Sequence, residues 1–125
     1  MNVARGADLA ARTKGFALEI IRLYSRLPKT TEAQVLGRQV LRSGTSIGAQ
    51  YREAIRAKSA ADFVSKIEGS LQELEETQYW LELLIESKIT NDAGGVASLM
   101  KEAHELIAIL VASVRTAKSR KTRAK

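Results

Sequence analysis

Cysteine is absent from this 125-residue chain, and proline and histidine occur once each. Without cysteine there is no disulfide framework and no thiolate chemistry. One histidine, His104, leaves a single candidate imidazole for acid–base work and too few ligands for a His-containing metal site. Aromatic residues number six: Phe16, Tyr24, Tyr51, Phe63, Tyr79 and Trp80. A β-sandwich would need more aromatics, valine, threonine and turn residues than this. Long apolar runs are missing as well. The longest, Leu106 to Val114, falls far short of the ~20 residues that cross a bilayer. Residues 1–13 hold both Arg5 and Asp8 with no apolar run, so no signal peptide is legible. These absences predict a soluble, cytoplasmic, all-α protein with no membrane partner.

What is present is leucine, isoleucine and alanine at helical spacing, in a chain long enough for one core. Four helices follow from the pattern. The first spans about 8–26, with Leu9, Phe16, Ile20, Leu23 and Leu27 on one face, and Pro28 stops it. Thr31 and Gln34 have capping-box spacing and open the second, whose stripe is Leu36, Val40, Ile47, Tyr51 and Ile55. The segment Ser43-Gly44-Thr45-Ser46-Ile47-Gly48 has poor helix propensity, yet the stripe keeps its phase across it. Gly44 and Gly48, four apart, would admit a close neighbour. Ser59 and Asp62 have N-cap spacing and open the third helix, about 60–88, with Phe63, Ile67, Leu71, Leu74, Leu81 and Ile85 as its seam. A turn over Thr90 to Gly95 precedes the fourth, which carries Val96, Leu99, Ala103, Leu106, Leu110 and Val114. Amphipathic helices joined by short loops pack as an antiparallel up-down four-helix bundle. The bundle domain is expected over 1–117. Residues 118–125 are basic, lack apolar anchors and are expected to be disordered in isolation.

The net charge of +6 is unevenly laid out. Residues 1–58 hold eleven bases against four acids, residues 62–88 hold seven acids against Lys66 and Lys88, and 115–125 hold six bases and no acid. Two surfaces of opposite sign suggest different partners. Arg38, Arg42, Arg52 and Arg56 keep one face of the second helix, with Thr45 and Ala49 as its uncharged members. Arg22 and Arg26 form a similar pair on the first helix. Arginine forks suit phosphate oxygens, so a line of them could follow a nucleic-acid backbone. Arg115, Lys118, Arg120, Lys121, Arg123 and Lys125 would add salt-dependent phosphate contacts. The plainer reading of the stripe is a solvated face, or pairing with acids of the third helix of this or a neighbouring chain.

Catalytic, cofactor and metal sites are not expected. Glu68, Glu75 and Glu82 repeat every seven residues, but a di-iron bundle needs Glu-x-x-His motifs, and Lys101 stands three before His104. Neither a Gly-x-Ser-x-Gly elbow nor a phosphate-cradling glycine loop with its lysine is present. Tyr79-Trp80 could stack on bases, although such aromatics usually serve packing.

The run from Arg42 to Gln50 (Arg-Ser-Gly-Thr-Ser-Ile-Gly-Ala-Gln), then Glu53-Ala54, resembles the signature of the bacterial four-helix-bundle proteins named after 23S rRNA intervening sequences. So do Gly69 to Thr77 (Gly-Ser-Leu-Gln-Glu-Leu-Glu-Glu-Thr), Trp80 to Leu84, and Pro28 with Glu32, and the resemblance covers about residues 12–115. Two departures stand on the second helix: Gln50 where asparagine is usual, and Tyr51-Arg52 where an apolar residue and alanine are usual. The resemblance implies a ring-like homopentamer of up-down bundles, some members of which are encoded within rRNA insertions. Accessory variability determinants of diversity-generating retroelements look similar, and they bind nucleic acid and a reverse transcriptase. The combined expectation is a non-enzymatic oligomeric module that binds RNA or another polyanion. The alternative is a protein-interaction scaffold with no nucleic-acid role.

Overall fold

The computed structural model describes residues 3–124, with side chains from 8 to 120. Four helices run in order, α1 (Val3–Arg26), α2 (Thr31–Ile55), α3 (Ala60–Glu86) and α4 (Ala93–Ala124). Each packs against its neighbours in sequence, and α1 meets α4 along a thinner seam that closes the square. The fold is an all-α, antiparallel four-helix bundle. No helix among the described residues is long and apolar enough to cross a membrane.

Apolar periodicity places the core. Leu9, Phe16, Ile20 and Leu23 of α1, with Leu27 just past its end, are buried together with Val40, Ile47 and Tyr51 of α2. Ile67, Leu74, Leu81 and Leu84 of α3 and all six expected residues of α4, Val96 to Val114, join them. Each such Leu or Ile contributes about 1.5–3 kcal/mol of transfer free energy, offset by the entropy of ordering it. Five expected core residues lie at the margin. Leu36, Phe63, Leu71 and Ile85 are half-buried, and Ile55, the last residue of α2, is 41 % exposed.

The weak helix former in mid-α2 is explained by what flanks it. A Cβ on Gly44 would come within 2.8 Å of Ile20, and one on Gly48 within 3.0 Å of the Thr13 hydroxyl, so these glycines let α1 approach. On the α3 side, buried Thr77 donates to Ser43 Oγ at 2.7 Å and buried Ser70 donates to the Ile47 carbonyl at 2.9 Å. Small residues thus bring α2 close to both neighbours, and their hydroxyls are satisfied inside the packed interface.

Four boundaries differ from the sequence expectation, the first being the start of α1, at Val3 instead of about residue 8. The cap of α2 is Thr30, whose hydroxyl accepts from the Ala33 amide at 3.3 Å. Gln34 instead bridges the first loop, donating to the Pro28 carbonyl and accepting from Tyr24 Oη. At Ser59 the expected cap is found, accepting from the Asp62 amide at 3.0 Å. Helix α3 stops at Glu86, two residues early, because Lys88 takes a left-handed conformation with φ of 58°. Asp92 Oδ1 accepts from the Gly95 amide, so α4 starts at Ala93 and Gly94-Gly95 form its first turn instead of the loop. At the other end α4 runs to Ala124. Arginine, lysine and alanine are good helix formers, and no glycine or proline interrupts them.

Candidate nucleic-acid interface

The buried stripe of α2 faces α1 and α3, so the opposite face of the helix is turned outward. Arg38, Arg42, Arg52 and Arg56 all lie exposed on that outward face, with Ala49 exposed and Thr45 half-buried between them. They are not equivalent. Arg42 is drawn toward α3, where Nη2 meets Glu76 and Nη1 lies 3.5 Å from Glu73 Oε2, a buried oxygen that accepts no hydrogen bond. Trp80 Nε1 donates to the same Glu76 carboxylate at 3.2 Å, and Gln39 Oε1 accepts weakly from Arg42. Arg38, Arg52 and Arg56 make no ion pair among the described residues.

The remaining candidates are dispersed. Arg22 pairs with Glu19 on its own helix, and Arg26 donates to Asp92 at 3.1 Å, tying α1 to the α3–α4 turn. Both therefore stand away from the α2 stripe. Arg115, Lys118 and Arg120 are exposed on the last turns of α4, which is not a neighbour of α2, and Lys118 lies 3.4 Å from Glu68. Lys121 and Arg123 are outside the described side chains, and Lys125 is outside the described residues altogether. The single basic surface suggested by charge counting is thus one stripe on α2, plus a second basic patch at the end of α4.

Beside the stripe, α3 turns an acidic face outward. Glu68, Glu75, Glu82 and Glu86 are exposed there, together with Tyr79 at 53 %. Tyr79 meets Trp80 edge-on at 5.2 Å, but the surrounding carboxylates would repel the phosphates of any base stacked on it. His104 is exposed on the outer side of α4. Among the described residues no three His, Cys, Asp or Glu side chains cluster as metal ligands would.

One polar cluster was not foreseen. Arg12 Nε donates to Glu102 Oε2 at 2.7 Å and Arg12 Nη2 donates to both Glu102 Oε1 and Glu105 Oε2, across the α1–α4 seam. Hydrogen bonds from Arg12 pull the Glu102 carboxyl below its ordinary pKa, against the opposing effect of burial, and the arginine's own pKa is raised chiefly by the same bonds. The cluster borders a cavity of about 630 Å³ that also touches Phe16, Arg22 and Leu99. The only signal in the sequence is an arginine one position before a buried threonine and two glutamates three apart. A second cavity, about 890 Å³, opens where the helix ends meet and is lined by Leu9, Ile55, Phe63, Ile109 and Arg120.

Residues 7–112 match the family model of the 23S rRNA-intervening sequence protein. A crystal structure of a protein of unknown function from Bacteroides thetaiotaomicron, assigned to the S23 ribosomal protein family, is similar at 38 % identity. The match covers 88 % of this chain and 97 % of that one, with a TM-score of 0.78. No curated protein matches the chain.

Proposed function

The chain belongs to the 23S rRNA-intervening sequence protein family, and from that premise we propose that it is a non-enzymatic, cytoplasmic, homo-oligomeric module that binds RNA phosphates through the outer face of α2. The observation that carries this reading is the set of three exposed arginines, Arg38, Arg52 and Arg56, with no ion pair among the described residues. An arginine with a carboxylate at hand usually takes it, as Arg12, Arg22, Arg26 and Arg42 all do here. Three that stay unpaired on one face keep their full charge for a polyanion, and a guanidinium can grip phosphate with two parallel hydrogen bonds. The patch on α4 adds to the field that draws such a partner in. Support for a non-enzymatic role comes from the hydroxyls: Thr13, Ser46 and Ser70 donate to backbone carbonyls and Thr77 to Ser43, so each is spent on structure.

A specific observation favours a second reading. The basic face of α2 and the acidic face of α3 are adjacent and of opposite sign, so one copy's α2 could meet another's α3. Arg42 with Glu73 and Glu76 already shows this pairing inside one chain. The triple substitution Arg38→Glu, Arg52→Glu, Arg56→Glu separates the two. RNA binding through α2 predicts lost affinity and a salt slope reduced by about three phosphate contacts, with the assembly seen in native mass spectrometry unchanged. A scaffold joined by these faces predicts that the assembly itself comes apart. Unchanged RNA affinity in the variant would remove the stripe from the binding surface.

A further inference from the structure

The α2 stripe is charged at its two ends and neutral in the middle. Arg38 stands at one end and Arg52 with Arg56 at the other; at 1.5 Å per residue, Arg38 and Arg52 are roughly 21 Å apart along the axis. Between them Arg42 is neutralised by Glu73 and Glu76, and the outward positions are Thr45 and Ala49. Resting on the RNA reading of this face, we propose that its ligand is double-stranded RNA, laid across α2 so that each cationic end grips one phosphate row and the neutral middle faces the groove between them.

Electrostatics argue against a single strand. A strand lying along the stripe would carry phosphates past Glu73 and Glu76, where the one arginine is already claimed and two carboxylates stand close by. A duplex has no phosphate over its groove, so it asks for no cation there. Shape agrees. Ala49 is exposed and Gly48 half-exposed, so nothing bulky holds the backbone off, and the minor groove of A-form RNA is wide and shallow enough for a protein surface to lie against. Thr45 donates its own proton to the Leu41 carbonyl at 2.7 Å, which leaves its oxygen turned to the acceptor role. A ribose 2′-hydroxyl is a donor displayed in that groove, and DNA lacks it.

The test is fluorescence anisotropy at one fixed salt concentration, with a blunt RNA duplex and, separately, each of its strands designed to stay unpaired. The duplex should bind about tenfold tighter than either strand, because only the duplex can occupy both cationic ends without a phosphate beside the carboxylates. Equal or tighter binding of the strands overturns the duplex assignment while leaving the phosphate-binding reading of α2 intact. Absence of binding to both probes removes that reading as well. Ala49→Arg, a surface change that spares the core, gives a second readout. It should raise single-strand affinity several-fold and lower duplex affinity, because a long side chain then stands where the groove must approach the helix, so that the preference narrows or reverses. An equal gain for both ligands would overturn the groove placement.

Discussion

Gly44 and Gly15 have the same side chain, or lack of one, and opposite reasons to be there. Both sit inside helices at negative φ, where glycine costs about 1 kcal/mol relative to alanine through backbone entropy. At Gly15 an added methyl would meet nothing within 4 Å. At Gly44 it would press on three atoms of Ile20 at 2.8–3.2 Å, and Ile20 is fully buried with no room to retreat. Gly15→Ala should therefore stabilise the protein by about 0.5–1 kcal/mol. Gly44→Ala should destabilise it by about 1–2 kcal/mol after the propensity gain is subtracted from the overpacking strain. Thermal melts of the two variants beside the parent check both signs at once. Propensity alone predicts that both are stabilising, so a raised melting temperature for Gly44→Ala would show that α1 can move away.

Between elements, the α1–α4 seam is held differently from the other three. It has the thinnest packing and the Arg12–Glu102–Glu105 cluster, with Arg26–Asp92 at one end. Glu102 has an ordinary pKa of 4.5, lowered in the folded chain by hydrogen bonds from Arg12. A carboxyl depressed by folding contributes stability above its unfolded pKa and loses it as pH falls through the lower folded value. Stability should therefore be flat near neutrality and fall as the solution is acidified below about pH 4.5, with Glu102 supplying part of the slope. Glu102→Gln should cost about 1 kcal/mol at pH 7 and flatten that part of the acid limb, as read from urea melts across pH. An acid limb identical to the parent's would mean that the clamp adds nothing to the seam. This element also marks where sequence reading stopped. Helix phase, the Ser59 cap and most of the core were legible because they depend on neighbours three or four residues away. Arg12 and Glu102 are 90 residues apart, and no local pattern announces such a pair. For the same reason the arginine stripe was visible as a face, while the capture of Arg42 by α3, and hence the split of the stripe into two charged ends, was not.

Over the whole molecule the +6 charge combines a net-positive α1, a basic α2 face, an acidic α3 face and a basic end of α4 that does not pack directly against α2. If the α2 stripe is the gripping surface, the end of α4 acts only at long range, by raising the local concentration of polyanion. Removing residues 118–125 lowers the net charge from +6 to +1 and deletes nothing from the core, since Val114 is the last buried residue among those described. The truncation removes the ion pair of Lys118 with Glu68, both largely exposed, which is worth about 0–1 kcal/mol. The shortened protein should therefore melt close to the parent. Its affinity for RNA should drop most at low ionic strength, where a Debye length of roughly 30 Å lets distant charges act, and approach the parent's near physiological salt, where screening cuts that reach to about 8 Å. Duplex preference should survive, because it is set by the spacing of charge on α2 and not by the total. A truncated protein that loses affinity equally at all salt concentrations would instead place the end of α4 in direct contact with phosphate, and would move the interface from the face of the bundle to its end.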